Sequence, residues 1–435
     1  MKKALRGQIL TFKNDPFLHP MDECLHFLSD GIIVIENGMI TAVDDAENLL
    51  FELKKESVTI TEYRDSIISA GFIDSHVHYA QTEIIGAYGE QLIDWLNNYT
   101  FIAEQNFKSR EHSDEVAEIF INEQLKNGVT SATVFATIFP QSVDAIFEAA
   151  EKRNMRFMAG KVCMDRNAPD GLRDTAQSAY DDSKALINRW HGHKRLEYVI
   201  TPRFAPTSTH EQLEMLGALA AEHPDALIQS HVSENIDEVA WVKSLFPNTR
   251  SYADVYADYG LMRERAIYGH GIYLTDDELA LIYERGAAVA HCPTSNFFLG
   301  SGAFDLKKAK LAKRPIHVGL GTDLGAGTSF SIFQTMGEAY KAGQLNGYAL
   351  SSLHAFYLAT RGTAEALGLK EKVGTIAPGM EADLVVIDLK STPIIEYRMN
   401  SANSLEEALF VQMTLADDRA VKETIVAGES VYQRD

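Results

Sequence analysis

Cysteine is scarce in this chain. Its 435 residues hold three, Cys24, Cys163 and Cys292, with no CxxC pair and no even set to build a disulfide framework. Neither a stapled secreted fold nor a thiolate metal knuckle is expected, and buried thiols are the plain reading. Positive charge is short as well: 40 Lys and Arg against 61 Asp and Glu leave a formal net charge of −21, and no run of basic residues exceeds two. That balance excludes nucleic acid and an anionic membrane surface as partners. Long apolar runs are missing too. Residues 127–143 carry no charge but are studded with Thr, Ser, Pro and Gln, which is wrong for a membrane span. The opening MKKALRGQILTF has the lysines of a secretory leader, yet Arg6 interrupts its apolar run and no small-residue cleavage site follows. A cytoplasmic protein is the expectation.

What the chain does have is two textures. Near the N-terminus, IIVI followed by Glu36-Asn37-Gly38 and MITAV reads as a hairpin, because Asn-Gly supplies the positive φ of a tight turn. Near the C-terminus, residues 383–388 and 423–427, with Gly428 turning into residues 430–432, read as further strands. Residues 1–68 and 379–435 are therefore expected to form one small discontinuous β-sandwich domain. Between them, apolar β-branched runs at 67–76, 131–136, 156–164, 196–204, 226–231, 266–270, 287–291 and 316–323 alternate with helical periodicity. Thr209-His-Glu-Gln212 and Thr275-Asp-Asp-Glu278 have the spacing of capping boxes. Eight strand-then-helix units predict an α/β fold of the (β/α)₈ barrel type over residues 69–378.

A barrel of this kind carries its active site at the C-terminal ends of its strands. The first strand ends in His76 and His78, which alternation places on one side. The fifth ends in His231, the sixth in His270 and the eighth in Asp323. Any one of these would pass for a satisfied core or loop residue. Together on one rim, imidazoles and a carboxylate suit Zn²⁺ or Fe²⁺ with a position left open for water. His191-Gly-His193 has the same HxH spacing but follows a helical stretch, where period two has no meaning. Gly319-Leu-Gly321 lacks the third glycine of a dinucleotide fingerprint and reads as close backbone packing. His291 and the Cys-Pro-Thr-Ser-Asn296 that follows end the seventh strand, where packing explains them as well as contact with the site does.

FIDSHVH, the later single histidines and GTD resemble the amidohydrolase superfamily over the whole chain. Within it, HVHYAQTEIIGAYGEQLIDWL, MDRNAPD, TPRFAPTST, HVSEN, HCPTSNFFLGSG and GLGTDLGAGTSF are similar to the guanine deaminase family. The resemblance implies hydrolysis of guanine to xanthine and ammonia at one zinc held by His76, His78, His231 and Asp323, in a homodimer. Binuclear members place a bridging Lys or Glu at the end of strand four. Here Thr201-Pro-Arg-Phe204 stands there, and arginine does not lose its proton to bridge metals. Lys161 in strand three is the one nearby lysine.

For the purine, the Arg203 fork matches adjacent carbonyl and ring-nitrogen acceptors, although an ion pair with a neighbouring carboxylate would also account for it. Phe204 is placed to stack or edge-pack on the ring, and Gln81 to meet its edge. Glu234, three residues past His231, is expected to shuttle the proton, with Asp323 taking it from water and His270 orienting hydroxide. Whether His270 also ligates the metal stays open. Other substrates of the same site are an oxidised guanine or a pterin. More distant alternatives are displacement of a ring chloride and a metal-free scaffold. The HxE and PCxxC spacings of cytidine-type zinc deaminases are absent. Residues 86–99 are long enough to cover the pocket, with Trp95 over or beneath a bound ring.

Overall fold

The computed structural model describes residues 2–89 and 91–435. Its terminal sheet is built from β1 (Lys2–Phe12), β2 (Leu25–Glu36), β3 (Met39–Asp45) and β4 (Thr59–Ala70) of the first part of the chain. The barrel follows with β5 (Phe72–His78), β6 (Val129–Phe135), β7 (Arg156–Gly160), β8 (Val162–Cys163) and β9 (Leu196–Pro202). It continues through β10 (Leu227–Val232), β11 (Ala266–His270), β12 (Ala288–His291) and β13 (His317–Leu320). The last strands, β14 (Leu384–Asp388), β15 (Val421–Val426) and β16 (Glu429–Gln433), rejoin the terminal sheet.

That sheet has the order β16-β15-β14-β4-β1-β2-β3 and is mixed, since β1 runs parallel to β4. The Asn37-Gly38 turn forms as expected, with φ of 52° and 82°. Ala427-Gly428 makes the matching turn at the other edge. The sheet curls far enough for the two turns to meet: a side chain added at Gly38 would stand 3.0 Å from the Ala427 carbonyl. One continuous sheet thus encloses Ile9, Ile33, Ile40, Ile68, Val386 and Ile425 as a sandwich would. Its other face packs on the barrel, and β14 alternates between them, Val385 and Ile387 toward the barrel core and Leu384 and Val386 away from it.

Two expected strands divide. Residues 67–70 belong to β4, paired with β14, so the change of sheet falls at Gly71 and not after residue 68. Only glycine fits there, because a Cβ would meet Thr130 Oγ1 at 2.2 Å. The third barrel run breaks at Lys161 into β7 and β8. The C-terminal part is not all strand either. The helix Leu405–Leu415 packs on the barrel's outer helices, with Phe410 edge-on to Tyr340 at 5.1 Å and Ser352 Oγ donating to the Glu406 carbonyl.

The barrel strands are parallel and follow one another in the order β5-β6-β7-β9-β10-β11-β12-β13, with β8 beside β9. They are buried on both faces, which is why they read as continuous apolar runs. Ile73, Met158, Val199, Leu227, Ile267 and Ala288 fill one layer of the interior, leaving the polar residues to the strand ends. Of the two expected capping boxes, Thr275 and Glu278 make both bonds. Thr209 makes only its own, because Gln212 Oε1 accepts instead from Ser208 Oγ. No helix among the described residues is long and apolar enough to cross a membrane.

Charges rivet the barrel to the terminal sheet at the end away from the histidines. Arg156 and Arg195 both reach Glu381, and Arg195 also lies 2.6 Å from Asp383, all four largely buried. Glu381→Ala would strand two buried guanidinium groups with one carboxylate partner each. A loss of about 2–3 kcal/mol in denaturant unfolding is expected; an unchanged midpoint would show that the rivet contributes nothing net.

Candidate metal centre

Strand ends bring the five metal-competent residues together. His78 Nε2 lies 3.1 Å from His231 Nε2, and Asp323 Oδ1 is 3.4 Å from His76 Nε2 and 3.5 Å from His78 Nε2. Ligand atoms of His76, His78 and His231 fall within 4.8 Å of one another, as do those of His76, His270 and Asp323. Glycines make this possible: a Cβ at Gly269 or Gly321 would stand within 2.6 or 2.8 Å of the His76 side chain. The reading of Gly319-Leu-Gly321 as close packing holds, with Gly319 against Ser75. His270 and Asp323 themselves take the left-handed conformation, at φ 74° and 48°, and Ser233 does so between His231 and Glu234. Each costs of order 1 kcal/mol and aims a side chain inward.

The donor set fits a cation. His231 Nδ1 donates to the Arg203 carbonyl at 2.7 Å, which leaves Nε2 as a lone pair facing His78. His76 Nε2 is buried without a hydrogen-bond partner. Burial first, then the neighbouring histidines, hold His78 and His231 well below the usual imidazole range, so they remain neutral ligands. Burial alone would raise Asp323, but His76 and the other imidazoles outweigh it and bring the carboxyl down to about 2. Neutral imidazoles around an ionised carboxylate are what Zn²⁺ binds.

Glu234 completes the cluster. Burial is the main cause that pushes its carboxyl up to about 7, Glu238 and Asp323 adding to it against His270. Its Oε2 is 3.4 Å from His270 Nε2, and Ser301 Oγ donates to Oε1 at 3.3 Å. The backbone is pinned by Glu238, which accepts from the amides of Glu234 and Asn235 while forming a capping box with Asn235. His270 Nδ1 pairs with Asn296 Oδ1 at 2.8 Å, leaving Nε2 toward Glu234 and Asp323. Asn296 is therefore a contact of the site through its place in HCPTSN, whereas His291 lies buried with both ring nitrogens unpartnered.

These groups open onto a pocket lined also by Gln81, Arg203, Phe204, Leu92, Trp95, Leu96, Leu299 and Ala326. The aromatic and aliphatic wall comes largely from residues 92–96, the segment expected as a cover. Arg203 makes the ion pair that was its alternative reading: Nη1 lies 2.8 and 2.7 Å from the two oxygens of Glu104, with Phe101 under the guanidinium. Glu104 sits in no motif, and nothing in the sequence marks it. The rejected HxH pair stays apart, His191 against Asp225 and His193 against Glu151, and Lys161, the one nearby lysine, is held by Asp174 2.6 Å from its Nζ. All three cysteines are buried and free.

Residues 67–431 match the model of the amidohydrolase family. The chain belongs to that family. It is 47% identical to the guanine deaminase of Escherichia coli K12, covering 100% of this chain and 98% of that one. The solved structure of E. coli guanine deaminase superposes with a TM-score of 0.95 at 45% identity over the full length of both chains. A guanine deaminase from C. acetobutylicum with bound guanine in the active site gives 0.90 at 30% identity, over 99% of this chain and 100% of that one.

His231→Ala removes a lone pair that faces the cluster and leaves the Arg203 carbonyl without its donor. Metal analysis after dialysis should fall from about one ion per chain to a small fraction of that; full retention would exclude His231 as a ligand.

Proposed function

We propose that this chain is a guanine deaminase, converting guanine and water to xanthine and ammonia. The observation that carries the reading is convergence: one pocket joins a metal-competent cluster, a buried carboxyl poised near neutrality and a guanidinium opposite an apolar wall. One zinc per chain would be held by His76, His78, His231 and Asp323, and when bound it would lower the pKa of water to about 7.

The chain's own residues do the rest. Arg203 gives Nη1 to Glu104, and its other guanidinium nitrogens are free to meet the purine carbonyl and adjacent ring nitrogen as donors. Adenine offers an amino donor where guanine offers the carbonyl, so donor would oppose donor. Gln81 meets the purine edge and Phe204 packs on the ring. As the oxygen of water bonds to C2, Asp323 accepts a proton and His270 holds the oxygen through Nε2. Glu234 carries a proton to the ring and then to the exocyclic nitrogen, which leaves as ammonia when the C2–N bond breaks. With its carboxyl near 7, Glu234 gives and takes a proton with little driving force lost either way. His76 and His231 serve by staying neutral. A homodimer in the cytoplasm completes the reading; light scattering at twice the 48.3 kDa chain mass would support the dimer.

Xanthine release from guanine by zinc-loaded protein, measured beside a pterin and an oxidised guanine, tests the reading. A rate on guanine far below the others would overturn it. Glu234→Gln should keep its metal and lose about 10²–10⁴ in kcat; an unchanged rate would remove the shuttle. Arg203→Lys should raise KM for guanine and relax discrimination against adenine. Arg203→Ala should in addition lose about 3–5 kcal/mol of stability, because it leaves Glu104 buried and unpaired.

A further inference from the structure

We propose that Glu104 is a positioning residue that sets the charge selectivity of the pocket, neutralising Arg203 so that a neutral aminopurine binds and an anionic dioxopurine leaves. The inference rests on the guanine deaminase reading above. Both Glu104 oxygens converge on Arg203 Nη1, at 2.8 and 2.7 Å, with Glu104 fully buried and Arg203 3% exposed. A lone buried guanidinium would carry an uncompensated charge into the ring-binding end of the pocket, and any anion there would form a strong charge-assisted pair with it. With Glu104 in place the pair is neutral, yet Arg203 keeps donors on its remaining nitrogens. The Phe101 ring, 5.4 Å below the guanidinium, holds its plane.

The chemistry makes this charge balance matter. Deamination replaces the C2 amino group with a carbonyl, and the resulting dioxopurine gives up a proton more readily than guanine does. An unpaired Arg203 would bind that product better than the substrate, and tight product binding slows turnover. The other charged groups of the pocket, Glu234, His270 and Asp323, are paired among themselves at the metal-competent cluster, with His270 Nε2 3.4 Å from Glu234 and 3.8 Å from Asp323. Glu104 comes from the short helix Phe101–Gln105, outside the barrel strands, so the ring-reading charge is set by a segment separate from the catalytic rim.

The test is calorimetric binding of urate, an anionic oxopurine at neutral pH, and hypoxanthine, a neutral one, to the zinc-loaded protein and to Glu104→Gln and Glu104→Asp, with the ratio of the two affinities compared between variants. Glutamine can still accept from Nη1 but carries no charge. Glu104→Gln should tighten urate roughly tenfold relative to hypoxanthine. Glu104→Asp should return that ratio to the parent value even where both ligands weaken. If Glu104→Gln weakens both ligands equally, the pair is only structural and the proposal fails while the guanine reading stands. If the zinc-loaded parent protein releases no xanthine from guanine, the guanine reading itself fails and the proposal falls with it, whatever the two ligands do.

Discussion

The return of the last barrel strand to the first is the constraint on which the site depends. No continuous ladder joins β13 to β5; instead the Asp323 amide donates to the His76 carbonyl at 2.9 Å, and Asp74 accepts from the amide and hydroxyl of Thr322. Two short segments, Asp74 to His78 and Thr322-Asp323, are held in register by these bonds. His76 and His78 lie on one side of the seam and Asp323 on the other. Asp74 is fully buried, and burial raises its carboxyl to about 6, so the clamp is costly to maintain. Its position two residues before His76 puts that cost beside the cluster it orders.

Similar reasoning applies to the groups inside the cluster. Burial disfavours charge on every one of them, but their neighbours decide the outcome differently for each. Burial lowers His270, yet Glu234 and Asp323 outweigh it and leave that ring above its usual range, beside histidines held below theirs. Two carboxyls a few residues beyond strand ends part in the same way, Glu234 upward and Asp323 downward. Groups pushed apart in this manner can divide proton-holding and metal-holding roles between them. Left-handed backbone at Ser233, His270 and Asp323 is the conformational cost of aiming these side chains inward.

The pocket has a second source. The long crossing between β5 and the helix Arg110–Lys126 contributes Leu92, Trp95 and Leu96 to its wall, with Phe101 and Glu104 behind them against Arg203. Barrel strands thus provide the reacting end, and an inserted segment provides shape and charge at the other. Among the described residues, none of the terminal sheet lines the pocket. The sheet covers another side of the barrel, closing the apolar face of β14 and anchoring Arg156 and Arg195 through Glu381.

Much of this was legible along the chain, because the signals involved are local. Period-two placement put His76 and His78 on one side, apolar runs marked the parallel strands, and Asn37-Gly38 announced its turn. Chemistry at strand ends then gathered His231, His270 and Asp323 onto one rim. What remained hidden was set by contacts between segments far apart in sequence. Glu104 meets Arg203 across 99 positions, and Glu381 meets Arg156 across 225. The break at Gly71 reflects crowding by Thr130, and the half-made cap at Thr209 reflects Ser208 competing for Gln212. Sequence alone determined which residue types could hold a metal and which end of the barrel would carry them, since both follow from backbone geometry within a strand. Only the tertiary structure decided which charge stands beside which, because a buried ion pair is specified by proximity in space and leaves no periodic trace along the chain.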